Sequence, residues 1–408
     1  MIKRQCEALV YEYLTYFPCV ALVGPRQCGK TTLLKKIAEG WVHYDLEKRE
    51  DYNLIADDPD LFFRLNGEQV AIDEAQLLPE IFPALRVAID SDRGSMGRFL
   101  ITGSSSPQLL KSISETLAGR IAIIEMSPLT LEELAGGDSP FYEIFKTTSS
   151  DRRFLFDHKE RTSLANLHKY WFEGGYPEPV MRGDNRFSEL WMDQYIQTYV
   201  ERDIAGLFPS LNRVRFRQFT EMLAGLSGSV INYSEVARTL GVSQPTIRDY
   251  FNIAHGTFIW RHILPYEKNV KKRIVKHPKG YFRDSGIVHH LLRIADQRRL
   301  RSHPAMGFSW EAMVTEEILR GLQNHGIKHD VYFYRTVSGS EVDLIVEGRF
   351  GTIPIEIKYH QDTGKGKVRA IRNFVREHDL SFGLVIDNGE SVRRLDELVY
   401  AVPFGCCT

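Results

Sequence analysis

Cysteine is scarce in this chain and is not spaced to do structural work. Cys6, Cys19, Cys28, Cys406 and Cys407 are its five thiols in 408 residues, with neither a disulfide framework nor paired zinc spacing. That excludes a disulfide-stapled secreted scaffold and implies a reducing compartment. No apolar run approaches the roughly 20 residues that span a bilayer, and the opening MIKRQCEALVYEYL has no signal-peptide core. A soluble, cytoplasmic protein without a membrane partner is therefore expected. Excess charge is missing too: 52 Lys and Arg against 53 Asp and Glu leave a formal charge of −1. With no global field to draw a polyanion, any nucleic-acid surface must be local. The densest basic stretch is 268–283, KNVKKRIVKHPKGYFR, which reads equally as a solvated loop or as a phosphate contact. There is no low-complexity tract and no internal repeat. Hydrophobic residues at 43% and charged residues at 26% are ordinary for a globular chain, and this length suggests about two to four domains.

What is present is concentrated first in GPRQCGKT. An apolar strand, 20–23, enters this run, and an amphipathic helix, 32–38, leaves it. Glycines at its first and sixth positions let backbone N–H groups turn inward around an anion, and the following helix adds the positive end of its dipole. The candidate nucleotide-binding residues are Gly24, Pro25, Arg26, Gln27, Cys28, Gly29, Lys30, Thr31 and Thr32. Lys30 would reach the β- and γ-phosphates of ATP, and Thr31 would ligate Mg²⁺. Cys28, inside the loop, reads as a tolerated small side chain.

The first third continues as short apolar runs alternating with helical patterns, as a parallel α/β sheet would, with strands expected at 20–23, 41–45, 69–73, 99–102 and 121–126. VAIDEAQ puts Asp73 and Glu74 at the end of a buried strand, where open α/β sheets bind ligands. Asp73 is the candidate magnesium ligand, and Glu74 the candidate base for the attacking water. FLITGSSS ends another strand in hydroxyls, of which Ser104 could sense the γ-phosphate, or else belong to a Ser-rich turn capping the helix after Pro107. Arg120, in LAGR, is either a charge-stabilising residue, acting in its own subunit or a neighbouring copy, or a surface ion pair.

Together GPRQCGKTTLL, the DEAQ pair, LITGSSS, LAGR and the following PLTLEEL resemble the AAA-type ATPase domain of a widespread prokaryotic family, in which it precedes a C-terminal domain of unknown function. The resemblance covers the whole chain and is most specific in its first 135 residues. It implies an ATP- and Mg²⁺-dependent hydrolase. A Tyr-x-Glu-Arg-Asp-like segment of that family corresponds to YVERDI, 199–204.

Residues 136–215 read as a helical connection anchored by Trp171, Trp191, Tyr195 and Tyr199. From 216 to 300 the pattern is that of a winged helix-turn-helix. In SEVARTLGVSQPTIRDYF, Ser234 would cap a first helix, Gly241 would make the turn and Ser243 would cap the second helix. That second helix would offer Gln244, Thr246 and Arg248 to a DNA groove, with Ile247 and Phe251 facing the core. The same module also serves as a protein-docking or lid element.

The last segment, 301–408, holds a second constellation. In GSEVDLIVEG and TIPIEIKYH, strict alternation would put Asp343, Glu356 and Lys358 on the non-core faces of adjacent strands. This spacing resembles the core of PD-(D/E)xK nucleases. The resemblance implies Asp343 and Glu356 as ligands of Mg²⁺ or Mn²⁺, Lys358 as the catalytic lysine and Glu311 as a helical acidic partner. The plain alternative is a wet strand face bearing surface ion pairs. The fold expected is thus α/β: a P-loop NTPase domain over 1–135, the helical connection, a winged helix and a restriction-endonuclease-like α/β domain. Its function would be ATP hydrolysis coupled to a nucleic-acid-associated C-terminal domain, with nuclease activity or, alternatively, as an ATP-controlled docking switch whose nuclease-like domain is silent. Self-association into a homo-oligomer is left open.

Overall fold

A computed structural model of the chain describes residues 2–104, 115–146, 156, 161–208, 211–267, 277–336, 339–360 and 368–408. The chain divides into two compact units. The first comprises Met1–Leu129 with the short segments Tyr176–Glu178 and Asn252–Ile259, and the second comprises Thr130–Gly175, Pro179–Phe251 and Trp260–Thr408.

Five parallel strands form the first unit's sheet: β1 (Cys19–Gly24), β2 (Val42–Asp45), β3 (Val70–Asp73), β4 (Phe99–Ser104) and β5 (Ile121–Glu125), in the order β2-β3-β4-β1-β5. They match the five expected strands to within two residues at each end. Every residue of β1 is buried because helices cover both faces of the sheet. Cys19, Ala21 and Val23 enter one core with Ile72, Phe82 and Ile101, while Val20 and Leu22 enter the other with Leu33, Leu34 and Ile37 of the helix Lys30–Ile37. The order has a consequence for chemistry. β4 lies between the strand that feeds the loop and the strand that ends in the acidic pair, so all three carboxyl ends open at one edge.

The second unit contains a mixed sheet running β13-β14-β12-β11-β10-β9-β7-β8-β6. Its members are β6 (Ser229–Val230), β7 (Trp260–Pro265), β8 (Lys279–Phe282), β9 (His329–Arg335), β10 (Glu341–Gly348), β11 (Gly351–Ile357), β12 (Gly383–Asp387), β13 (Arg393–Arg394) and β14 (Val399–Pro403). Leu344, Val346, Ile353 and Ile355 pack on the helix Met306–Asn324 through Trp310, Val314 and Ile318, and Val342, Ile345 and Val385 pack on the helix Arg369–Glu377. Strict alternation fails at one place. The pairing of β10 with β9 shifts register between Val342 and Ile345, so Val342 joins the core of Ile345 rather than that of Leu344. This irregularity sits around Asp343, where a bulge re-aims a side chain. The wet face expected there is also absent: Asp343 and Glu356 are each only 7% exposed.

Upstream, the helices Arg213–Leu226, Tyr233–Leu240 and Gln244–Gly256 precede the antiparallel β7–β8 hairpin, with β6 added beside β8. Gly241 takes the left-handed turn at φ 64°, and Ile247 and Phe251 are fully buried. The first of the paired helices is capped by Asn232, whose Oδ1 accepts from the N–H groups of Ser234 and Glu235, not by Ser234 itself. Asn232 occupies the cap position immediately before the helix, whereas Ser234 already lies inside its first turn. Trp171, Trp191, Tyr195 and Tyr199 are buried as expected, the last within a stretch of π-helical turns, Ile196–Asp203. The helix Met306–Asn324 also buries Glu316 among Arg261, Arg283 and Arg320. Burial pushes that carboxyl up, but the three guanidinium groups outweigh it and hold it down at about 2.

Candidate functional site

In the first unit β1 ends at Gly24 and the helix Lys30–Ile37 begins after a left-handed Gly29 at φ 101°. Gly24 is required by close approach, because a Cβ there would stand 2.1 Å from the Met126 carbonyl oxygen. Gln27 is also left-handed, at φ 60°. The loop is pinned from behind by Arg4, which donates to the carbonyl of Cys28 at 2.7 Å and that of Ser127 at 2.6 Å. Sequence reasoning missed Arg4, which lies in no motif and reaches the loop through main-chain carbonyls. Lys30 is 4% exposed, and its Nζ donates to the carbonyls of Gly24 at 3.1 Å and Pro25 at 2.9 Å. Arg26 faces Glu47, with 3.6 Å between their charged atoms. Cys28 is buried, its thiol 3.6 Å from the Met126 carbonyl.

Register brings the other candidates to this edge. Gly24 pairs with Ser104 across β1 and β4, and Ile72 pairs with Ile101 across β3 and β4. Thr102 donates to Asp73 Oδ1, and its oxygen accepts from the Glu74 N–H at 3.2 Å. Glu74, left-handed at φ 54°, accepts from the Ser104 hydroxyl at 2.9 Å and from the side-chain amide of Gln76. Burial pushes the Glu74 carboxyl up, but the Lys30 charge and the Gln76 and Ser104 hydrogen bonds prevail and hold it below its ordinary value. Thr102 is one of the strand-end hydroxyls expected near the γ-phosphate; its bond to Asp73 follows from β4 lying next to β3, whereas Gln76, not singled out in the sequence, reaches Glu74 from two residues along the chain. Ser105 and the turn at Pro107 lie outside the described residues.

Arg120 is not brought to this edge. Cys19 pairs with Ile121, so Arg120 sits at the opposite end of the sheet from Gly24, where it grips Asp90 through two hydrogen bonds of 2.8 and 2.9 Å. Five strand residues at about 3.3 Å each separate the two ends. A role for Arg120 at the loop of its own subunit does not fit this placement.

The second unit gathers Glu311, Asp343, Glu356 and Lys358 in one pocket of about 520 Å³, together with Lys279, Glu341 and Arg335. Asp343 accepts the Ile357 N–H at 2.7 Å, and Lys358 pairs with Glu356. Lys279 stands among the carboxylates, its Nζ 2.6 Å from Glu311, 2.7 Å from Glu341 and 3.9 Å from Asp343. Tyr281 donates to Glu311 at 2.8 Å. Burial and the Asp343 charge push Glu311 up to about 7 and Glu356 up to about 8. Burial would draw Lys279 down, yet Tyr281 and the facing carboxylates hold it above the ordinary lysine value. Three of the expected residues were to bind a metal ion, and this arrangement does not fit one. Among the described residues no group of three or more acidic, histidine or cysteine side chains is disposed to hold a cation. The carboxylates that would serve are engaged by ammonium groups instead, Glu311 and, more distantly, Asp343 by Lys279 and Glu356 by Lys358, and of their oxygens Glu356 Oε2 is buried without a hydrogen-bond partner. Lys279 and Glu341 were not anticipated, since Lys279 comes from a strand 62 residues before Glu341.

The residues expected to read DNA are turned to local partners. Gln244 donates to Ser234 at 3.2 Å, Arg248 lies 4.7 Å from the Tyr233 ring centroid, and Thr246 bonds Ser243. Of the basic stretch, residues 268–276 lie outside the described residues, and the side chains at 200–203 are likewise not described. No helix among the described residues is long and apolar enough to cross a membrane.

Such a loop, acidic pair and central hydroxyl strand on a parallel sheet define a P-loop ATPase domain of the AAA type, and the family model described as "AAA domain" matches residues 16–135. Models of two domains of unknown function match residues 164–298 and 306–407. The chain is 33% identical over 404 residues to the uncharacterised proteins Rv2008c of Mycobacterium tuberculosis and Mb2031c of Mycobacterium bovis, covering 98% of itself and 83% of each. It belongs to the family of these mycobacterial proteins. The uncharacterised protein MJ1544 of Methanocaldococcus jannaschii is 21% identical, with 94% of this chain and 86% of that protein covered. Among solved structures, a Walker-type ATPase of Pyrococcus abyssi aligns at TM-score 0.44 and 15% identity over 72% of this chain and 96% of that one. The RuvB Holliday junction branch migration motor of Thermotoga maritima aligns at 0.30 and 18%, over 63% and 88%. Likeness at that level carries no argument here.

Proposed function

We propose that this protein hydrolyses ATP at the edge formed by β1, β3 and β4, and that the second unit is the nucleic-acid-associated part that this turnover controls. The observation that carries the first half is Glu74: a half-buried carboxylate, held ionised by Lys30, Gln76 and Ser104, just past the end of β3, with only β4 between β3 and the strand that feeds the loop. In this reading the backbone of Gly24–Thr32 holds the phosphates, and Lys30 leaves the carbonyls of Gly24 and Pro25 for the β- and γ-phosphates. Glu74 takes the proton of the attacking water while Ser104 keeps its carboxylate oriented. The donor set suits magnesium, for the Asp73 carboxylate engages Thr102 through Oδ1, and Thr31, in the first turn of the helix Lys30–Ile37, adds a hydroxyl. Bound there, Mg²⁺ would neutralise charge on the transferring phosphoryl group. Arg120 is assigned to a neighbouring copy or to no catalytic role. The test is Glu74→Gln: Mg·ATP binding by calorimetry should survive while phosphate release falls by about 100-fold. Undiminished release would refute the assignment.

We further propose a winged helix over 216–300 and a nuclease-like fold over 301–408. The helix–strand order, and the convergence of Glu311, Asp343, Glu356 and Lys358, support this reading. Between the nuclease and the ATP-controlled docking switch, the ammonium of Lys279 among the acidic groups favours the switch, with DNA as the expected partner. DNA retention that varies with the bound nucleotide, without cleavage, is the expected behaviour. Nucleotide-independent retention would count against it.

A further inference from the structure

We infer that Lys279 is the resident cation of the acidic pocket, standing in for a divalent ion. The inference rests on reading this pocket as the nuclease-like site proposed above. Glu311, Glu341, Asp343 and Glu356 are four carboxyl groups on three elements, the helix Met306–Asn324 and the strands β10 and β11. Carboxylates taken this far out of water need positive charge beside them. In most acidic pockets of this kind either an ion or an amine can supply it. Here the supplier is built into the chain. Lys279 is 2% exposed, carries three donors, and points them at Glu311, Glu341 and, more distantly, Asp343. Its stem is fixed by strand pairing, since Lys279 pairs with Val230 and with Ile263. It is not a surface side chain that happens to have folded in. A divalent ion entering the same cluster would meet a buried ammonium of like charge with little water between them, where repulsion is strong. Glu356, whose Oε1 pairs with Lys358, keeps Oε2 as an unused acceptor in the same pocket.

The wild-type pocket therefore excludes divalent ions, and removing the lysine charge opens it to an ion held by Glu311, Asp343 and Glu356. Mn²⁺ is the probe, with the free ion followed by electron paramagnetic resonance on the nucleotide-free full chain. Each background is compared with and without Asp343→Asn, so that binding elsewhere cancels. Wild type should show no Asp343-dependent site. Lys279→Met should gain one, at least about tenfold tighter than anything in wild type, and Lys279→Gln should behave alike if the methionine variant folds poorly. Lys279→Arg, which keeps the charge, should gain nothing. An Asp343-dependent Mn²⁺ site in wild type would overturn the inference and leave the nuclease-like reading standing. No gain in either folded neutral variant would overturn both.

Discussion

Lys30 and Lys279 are buried to nearly the same depth, 4% and 2% exposed, in the two units, yet they meet opposite surroundings. Lys30 donates to two neutral carbonyls at the mouth of a loop whose backbone is held open by Gly29 and by Arg4 behind it. Lys279 faces carboxylates of three residues. A carbonyl is a weak competitor for an ammonium against a triphosphate, whereas a carboxylate is a strong one. The first lysine is therefore free to serve a ligand, and the second already has its counter-charge. A lysine deep in a pocket carries no functional meaning until the charge of its partners is known.

The comparison breaks most visibly at Lys30. In Lys30→Ala the loop keeps its backbone shape but loses the group that follows the transferring charge, and ATPase rate should drop about a thousandfold by phosphate release. Full activity would mean that the carbonyl-bound lysine is structural, as Lys279 is. Next comes the mirror substitution. Lys279→Met strips the counter-charge from buried carboxylates and should cost about 3 kcal/mol of unfolding free energy, whereas Lys30→Ala should cost far less. Denaturant titration followed by tryptophan fluorescence reads this out, because four of the five tryptophans, Trp171, Trp191, Trp260 and Trp310, belong to the second unit.

How far the sequence carried these sites depends on whether their parts are local. Gly24–Thr31 is one run whose shape is set by its own glycines, so its place between a strand and a helix is legible from spacing. Asp73 and Glu74 are likewise fixed by the end of one strand. Gln76 reaches Glu74 from two residues along the chain, but Thr102 reaches Asp73 only through strand order, and Arg4 reaches the loop only through main-chain contacts. In the second unit, alternation located Asp343 and Glu356 but not the register shift beside Asp343, which follows from pairing with β9. Nor could it show that a lysine from β8 enters the same pocket. Arg120 is the opposite case. It precedes a strand of a parallel sheet while the loop follows one, so the two fall at opposite ends, and the ion pair with Asp90 is the surface alternative that the sequence offered.

A smaller effect sharpens the contrast through pH. His289 is buried against the Phe172 carbonyl, 3.0 Å from Nδ1, and the Ser309 hydroxyl. Burial pushes its imidazole down from 6.5 to about 4, only partly opposed by the Phe172 bond. A base whose folded pKa lies below its unfolded one binds fewer protons when folded. The stability it contributes is thus whole above about 6.5 and drains away as the pH falls towards 4. Between pH 7 and 4.5 the second unit should lose about 2 kcal/mol on this account. In His289→Gln that part of the acid sensitivity should disappear from the same fluorescence titrations.

The least effect is expected at Arg120, and its smallness is informative. Its guanidinium is spent on Asp90 at the far end of the sheet from Gly24, in a partly exposed pair of the kind that contributes little to stability. Arg120→Ala should leave the melting temperature and the ATPase rate per chain unchanged in dilute solution, where chains do not meet. If the rate of wild type rises with protein concentration and that of the variant does not, Arg120 reaches the loop of a neighbour, and the first unit's site is completed only by self-association. If neither rate depends on concentration, the pair with Asp90 is all that Arg120 does, and the nucleotide edge is complete within one chain.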